Sequence, residues 1–137
     1  MNELSITEAK ATAVAVMDAV VADLPHSQII SSEQPPTGTW QSCDVDRYAW
    51  ANWTRLELQQ KSVPELWLDS IEKAWAKKPG YTTSRRDTPQ GMPRVIIDGP
   101  GGSLYLVNPE HDGIHFRIDA FSSCVMLPEG MTPGDDF

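Results

Sequence analysis

Two cysteines, Cys43 and Cys124, are the only ones in the 137-residue chain and lie far apart in it. Neither belongs to a C-x-x-C pair or to a Cys/His spacing typical of zinc sites. Their simplest use is a structural disulfide, which would stabilise the fold by about 4 kcal/mol through loop closure. Such a bond also indicates export, because disulfides persist in oxidising compartments. Two separate buried thiols in a cytosolic protein are the alternative.

The chain has the size of one domain and is strongly acidic, with 19 acidic and 11 basic residues and a net charge of -8. No basic run is longer than the pairs Lys77-Lys78 and Arg85-Arg86, so nucleic acid and anionic lipid are not expected as partners. No stretch approaches the roughly 18 apolar residues of a membrane span. We therefore expect a single domain over residues 1–127, followed by a flexible acidic tail over 128–137.

Two segments carry the start and stop signals of helices. Ser5 and Glu8 form a capping box, after which apolar residues recur at helical spacing until Pro25. The second segment opens with a similar box at Ser62-Val63-Pro64-Glu65 and stops at Pro79-Gly80. These patterns predict two amphipathic helices.

Alternating apolar and polar residues indicate strands in the rest of the chain. Residues 47–59 predict one long strand, and short strands are expected around Ile29-Ile30 and from Thr39 to Cys43. Four further runs follow the second helix and are separated by Gly- and Pro-rich turns. These runs are Tyr81 to Arg86, Arg94 to Asp98, Ser103 to Val107 and Ile114 to Val125. The prediction is an α+β fold of order α-β-β-α-β-β-β-β, with two helices on one face of an antiparallel sheet and the disulfide joining its first hairpin to its last strand.

The alternation also predicts which side chains the helices leave uncovered. The expected covered set is Trp50, Leu56, Leu58, Val95, Ile97, Leu104, Leu106, Phe116 and Ile118. The expected uncovered set is Trp53, Arg55, Glu57, Ile96, Tyr105, Val107, His115, Arg117 and Asp119. Aromatics and arginines of this kind are enriched at recognition surfaces. The candidate binding residues are therefore Trp53, Arg55, Tyr105, His115 and Arg117. A half-wet sheet with a few stray apolar residues is the alternative.

Catalytic and metal-binding patterns are weak. His111 and His115 are four residues apart and close to Glu110, Asp112 and Asp119, which could supply ligands for a divalent metal. A solvated turn followed by the polar side of a strand explains the same residues, so no metal and no cofactor is predicted. No Gly-x-Ser-x-Gly elbow or desolvated carboxylate pair is present. We therefore predict no catalytic residues and no enzyme activity.

Several residue groups accompany this order of elements. They are Trp40 with Cys43, Trp67 with Trp75, Gly101-Gly102-Ser103-Leu104, and Ser123-Cys124 followed by Leu127-Pro128. Over most of its length the chain thereby resembles the small cell-envelope lipoproteins of mycobacteria and related actinobacteria, the LppA type of unknown function. The resemblance implies a lipid anchor upstream of this chain, an extracytoplasmic location on the outer face of the cell membrane, and no particular reaction. Met1 stands near the place of the lipidated cysteine, and no lipobox is present.

The functional hypothesis is a non-catalytic, secreted or lipid-anchored domain that binds a protein or another envelope component through the uncovered sheet face. A narrower version is an immunity or phage-exclusion lipoprotein. The alternative is a small-molecule carrier or sensor, with a pocket between helices and sheet lined by Trp50, Trp67 and Trp75. An exposed patch around Trp53 would favour the first hypothesis, and an apolar cavity would favour the second.

Overall fold

The structure is a computed structural model and describes residues 4–137. Helix α1 (Ile6–Ala22) begins after Ser5, whose hydroxyl accepts from the backbone N–H of Glu8 while the Glu8 carboxylate accepts from the N–H of Ser5. Helix α2 (Pro64–Trp75) begins with its proline and has no side-chain cap. The cap predicted at Ser62 is absent because this hydroxyl donates to the backbone oxygen of Gly113 instead.

Seven strands form one antiparallel sheet. They are β1 (Ile29–Glu33), β2 (Thr39–Ser42), β3 (Tyr48–Leu58), β4 (Thr82–Asp87), β5 (Pro93–Asp98), β6 (Leu104–Pro109) and β7 (His115–Phe121). The strand order is β1-β3-β7-β6-β5-β4, and β2 also pairs with β3. The predicted α+β class is thus confirmed. All three strand segments predicted between the helices are present, although the predicted order counted only two strands there. Strands β1 and β2 lie one after the other along the same edge of β3, separated by Pro35-Pro36.

Both helices pack on the same face of the sheet. Helix α1 lies against β3 and β7, and α2 lies against β4 and β5. The largest fully buried side chains are Trp50, Tyr105, Phe116, Met17, Leu56, Leu68 and Ile71. The core therefore lies in one layer between helices and sheet, and the helices leave the other face of the sheet uncovered.

Strand β6 has the opposite phase to the one predicted. Tyr105 and Val107 face the helices, and Tyr105 is only 1% exposed. Leu104 and Leu106 face away. Four consecutive apolar or aromatic residues fit either phase of an alternating pattern, so the pairing with β5 and β7 sets the register. Tyr105 is consequently a core residue, and burial raises the pKa of its phenol to about 12.

The disulfide joins Cys43, directly after β2, to Cys124, after β7, with Cα atoms 6.2 Å apart. Beside it, Tyr48 and Val125 exchange backbone hydrogen bonds of 2.8 and 2.9 Å. The prediction that the first hairpin and the last strand meet is confirmed. No helix within residues 4–137 has the length and apolar character that crossing a bilayer requires.

Residues 128–137, expected to form a flexible tail, pack on the domain. Met131 and Phe137 lie against the core, and the Phe137 ring centroid is 5.8 Å from that of Trp40. The Phe137 backbone oxygen accepts a hydrogen bond from Trp50 Nε1 at 2.9 Å. The acidic, proline and glycine residues of this segment predict flexibility. Its two large apolar side chains, Met131 and Phe137, nevertheless hold it against the core.

Candidate binding face

The sheet face without helices, called the open face below, is the candidate functional site. Four of the five predicted binding residues lie on it, and Tyr105 does not. In the ladder between β3 and β7, Arg55 is opposite Arg117. Trp53 and His115 belong to the same side of these strands. All four alternate with buried residues that contact the helices.

A stack of Trp53 and Arg117 occupies the centre of the open face. The Arg117 guanidinium lies over the Trp53 ring, 4.9 Å from its centroid. Its Nε donates to Asp119 Oδ1 at 2.8 Å, and Asn108 Nδ2 donates to Asp119 Oδ2 at 2.9 Å. Asp119 is itself directly opposite Trp53 in the ladder. Four side chains from three strands thus hold one another in fixed positions, as a recognition surface requires.

Two open clefts flank this stack and share Arg117 and Asp119 as lining residues. The first, the edge cleft, has a volume of about 390 Å³ and lies between the 35–41 segment and the Trp53 and Phe121 side chains. The second, the hairpin cleft, has a volume of about 540 Å³. It lies between the β4–β5 turn and the β6–β7 turn. The stack therefore separates two clefts, of which the hairpin cleft has more charged side chains in its lining.

The β6–β7 turn is fixed to β3 by an ion pair. Arg55 Nε and Nη2 donate to the two carboxylate oxygens of Glu110 at 2.8 and 2.9 Å. These hydrogen bonds lower the pKa of Glu110 and raise the pKa of Arg55. Bidentate pairs of this kind fix orientation as well as charge. Arg55 therefore positions the wall of the hairpin cleft.

His115 provides a second link between the same turn and β3. Its Nδ1 lies 2.5 Å from Asp112 Oδ2, and its Nε2 lies 3.5 Å from Glu57 Oε1. The hydrogen bond to Asp112 favours the charged imidazole and raises the pKa of His115. Burial by itself would raise the pKa of Asp112, but the hydrogen bonds from His115 and from two backbone amides outweigh it and lower that pKa. The ring therefore lies between two carboxylates, and its hydrogen bond to Asp112 favours the protonated form.

Three side chains in this turn have the donor atoms of a metal site. One donor atom each of Glu110, Asp112 and His115 lies within 4.8 Å of the others. All three groups are already bonded, and both oxygens of Glu110 are held by Arg55. A divalent cation would therefore compete with a guanidinium for the same carboxylate. His111, which was considered with them, lies exposed in the turn.

Arg94 and Asn108 belong to the open face and were absent from the predicted set. Both line the hairpin cleft. Alternation with the buried Val95 and Ile97 indicates the side of β5 on which Arg94 lies. That signal was present in the sequence, but the inverted phase of β6 concealed that Asn108 lies on the same side.

The three tryptophans proposed to line a carrier pocket fill the core. Trp50, Trp75 and Trp67 are 0%, 2% and 9% exposed. Trp67 stacks on Phe116 with 5.1 Å between ring centroids, and Trp75 meets Tyr81 edge to face. Their contacts stabilise the two layers, and Trp75 also lines an open groove of about 460 Å³ beside α1.

Comparisons with protein-family models, with curated proteins and with solved structures find no match to this chain. The resemblance to mycobacterial lipoproteins therefore stays a prediction. The geometry of the open face is the basis for a functional proposal.

Proposed function

We propose that the chain is a non-catalytic domain that acts outside the cytoplasm and binds a protein partner on its open face. The observation that carries this proposal is the stack of Trp53 and Arg117, which stands between two clefts on a sheet face that no helix covers. Tryptophan and arginine are the residues most often found at energetic hot spots of protein interfaces. A rigid pair of them on an uncovered face fits that role.

The distribution of basic residues supports a protein partner. Four of the six arginines lie on the open face, namely Arg55, Arg86, Arg94 and Arg117, whereas none of the five lysines lies in a strand. Protein interfaces are enriched in arginine and depleted in lysine, because an ordered guanidinium loses less entropy on binding than a flexible ammonium. The open face has this composition although the chain as a whole is acidic.

Preorganisation of the charged residues also favours binding. Arg117 is held by Asp119 and by the Trp53 ring, and Arg55 is held by Glu110. Side chains that are already ordered lose little conformational freedom when a partner arrives. The network therefore lowers the entropic cost of using these long side chains for recognition.

The disulfide between Cys43 and Cys124 supports placement outside the cytoplasm, since such bonds persist in oxidising compartments. The proposal includes both a secreted form and a form anchored by lipid to the outer face of the cell membrane.

A substitution pair tests the proposal. Trp53→Ala removes the aromatic of the open face, and Leu66→Ala removes a large apolar side chain that is 64% exposed on α2. Proteins captured from an envelope extract of the source organism by the unmodified domain are purified, and their affinities for all three forms are measured by calorimetry. We expect Trp53→Ala to lower the affinity for a true partner at least tenfold and Leu66→Ala to leave that affinity unchanged. Equal affinities for the three forms would contradict the proposal.

A further inference from the structure

Arg86 and Arg94 lie directly opposite each other on β4 and β5 and share the open face. Neither guanidinium forms a hydrogen bond or an ion pair with another residue in the part of the chain that the structure describes. Like charges at directly opposed positions of a sheet are destabilising. The other opposed pair, Arg55 and Arg117, has a carboxylate for each guanidinium. The uncompensated pair therefore indicates that an anion from outside the chain binds here.

Two buried polar atoms at this position of the sheet have no hydrogen-bond partner. They are Arg94 Nε, a donor, and Asn108 Oδ1, an acceptor. Val95 and Val107 are opposite each other in the ladder between β5 and β6. Arg94 directly precedes Val95 and Asn108 directly follows Val107, so Arg94 and Asn108 occupy the next opposed position. The Asn108 Nδ2 donates to Asp119, which fixes the amide orientation and leaves Oδ1 free to accept. A buried polar group without a partner destabilises the fold, so both atoms favour a ligand that supplies the missing bonds.

The carboxylates of the hairpin cleft do not supply that partner. Glu110 is bound by Arg55, Asp112 by His115, and Asp119 by Arg117 and Asn108. Each of these acids is thus compensated within its own pair. The uncompensated charge in the cleft is the positive charge of Arg94, reinforced by its neighbour Arg86.

We infer that the hairpin cleft is a subsite for an acidic side chain of the protein partner, and this inference rests on the proposed function. Arg94 and Arg86 bind the carboxylate, and Asn108 Oδ1 accepts a backbone N–H of the same segment. A carboxylate beside an N–H donor is the chemistry of an aspartate or glutamate in a peptide. A phosphomonoester is mostly a dianion at neutral pH and has no proton to donate to Asn108 Oδ1.

The test uses a capped tripeptide, acetyl-Gly-Asp-Gly-amide, as the probe. It is titrated into the ¹⁵N-labelled domain while the arginine side-chain Nε–H signals are followed by NMR. We expect a saturable shift of the Arg94 signal, with a dissociation constant on the order of 1 mM. Arg94→Gln, followed through the Nε–H signal of the opposed Arg86, should weaken binding at least fivefold. Lys77→Gln, which removes the same charge from an exposed site after α2, should not change it. The matched peptide acetyl-Gly-Asn-Gly-amide should give no saturable shift.

Three results would overturn the inference. They are the absence of a shift at Arg94, equal binding of the Asp and Asn peptides, and equal saturation by inorganic phosphate, which would show a general anion site. The two proposals fail separately. If the peptide does not bind while Trp53→Ala still weakens the natural partner, the subsite is wrong and the binding face stands. If the peptide binds while Trp53→Ala leaves the partner affinity unchanged, the proposed function is wrong and a carboxylate subsite remains.

Discussion

Gly38 and Phe137 exchange backbone hydrogen bonds, with the Gly38 N–H donating at 2.9 Å and the Phe137 N–H at 3.3 Å. The same Phe137 oxygen accepts from the indole of Trp50. Lys10 Nζ lies 5.2 Å from the centre of the Phe137 ring and donates to the Pro36 oxygen at 3.0 Å. The final segment, the core tryptophan, helix α1 and the edge of the sheet therefore meet at one point.

This meeting point requires glycine at position 38. A Cβ there would lie 2.2 Å from the backbone oxygen of Ala51 and 2.7 Å from the Trp50 ring. We expect Gly38→Ala to lower the free energy of unfolding by about 3 kcal/mol, because neither the backbone nor the buried ring can yield. Gly134→Ala, whose nearest neighbour would be 3.9 Å away, is the matched control and should be neutral. Urea unfolding measures the free energy of unfolding of both variants. Similar losses for Gly38→Ala and Gly134→Ala would contradict the close packing at position 38.

The register of β6 predicts different costs for adjacent residues. Tyr105→Ala should lower the free energy of unfolding by about 4 kcal/mol, since it removes a fully buried aromatic ring. Leu104→Ala should cost about 1 kcal/mol, because Leu104 lies half-buried on the open face. Chemical denaturation of both variants shows which substitution lowers the free energy of unfolding more. A larger loss for Leu104→Ala would mean that the strand has the opposite phase.

The disulfide encloses a separation of 81 residues. In the chain-entropy description, opening it should lower the free energy of unfolding by about 4–5 kcal/mol. The measurement compares the oxidised domain with the Cys43→Ser, Cys124→Ser double variant. Thiol counting of the denatured, non-reduced protein should find no free cysteine. Detection of two free thiols per chain would show that the disulfide does not form, and the support that it gives to an extracytoplasmic location would be lost.

Arg85 fixes β4 to α2 from the covered side of the sheet. It donates to Glu65 and Asp69 at 2.7 Å and to Glu72 at 2.8 Å. We expect Arg85→Ala to lower the free energy of unfolding by about 1–2 kcal/mol, because three carboxylates then face one another without a cation. Arg86→Ala is the matched control and should be neutral or slightly stabilising, because it relieves the opposed Arg94. Added salt should shrink the Arg85→Ala effect, and an effect that grows with salt would argue against it.

The link between His115 and Asp112 makes the β6–β7 turn sensitive to pH. The pKa of His115 is raised, so its contribution is fully present below the ordinary value of 6.5 and is lost as the pH rises through the folded-state pKa. The pKa of Asp112 is lowered, so its contribution is present above 3.8 and is lost as the pH falls through its folded-state value. His115→Gln should therefore destabilise most between pH 3.8 and 6.5 and least at a pH above the folded-state pKa of His115.

Asp112→Asn provides the control for this pH dependence. In that background, His115→Gln should have a smaller effect whose dependence on pH is weaker, because the hydrogen-bonded carboxylate is gone. Thermal unfolding at closely spaced pH values measures all four forms. An undiminished pH dependence without Asp112 would assign the effect to another group.

The success of the sequence predictions followed the clarity of the local pattern. In β3, polar and apolar residues alternate from Arg55 to Leu58, and this period places Trp53 and Arg55 on the same, correct face. In β6, apolar residues occupy both faces, and the phase was wrong. In α2, Leu68 is buried, whereas Leu66, two residues before it, is exposed. A stripe of leucine and tryptophan does not define the helix rotation as sharply as mixed residues do.

The amino-acid sequence by itself determined the two helices, the approximate ends of the strands, the α+β class and the disulfide partners. Those features depend on caps, prolines, glycines and periodicity within a few residues, or on the fact that only two cysteines exist. The tertiary structure alone decided the phase of β6, the packing of residues 128–137 and the meeting of Arg94 and Asn108 in one cleft, with Arg86 directly opposite Arg94. These depend on pairing between strands that are distant in the chain, and no local pattern specifies which register buries the most apolar surface.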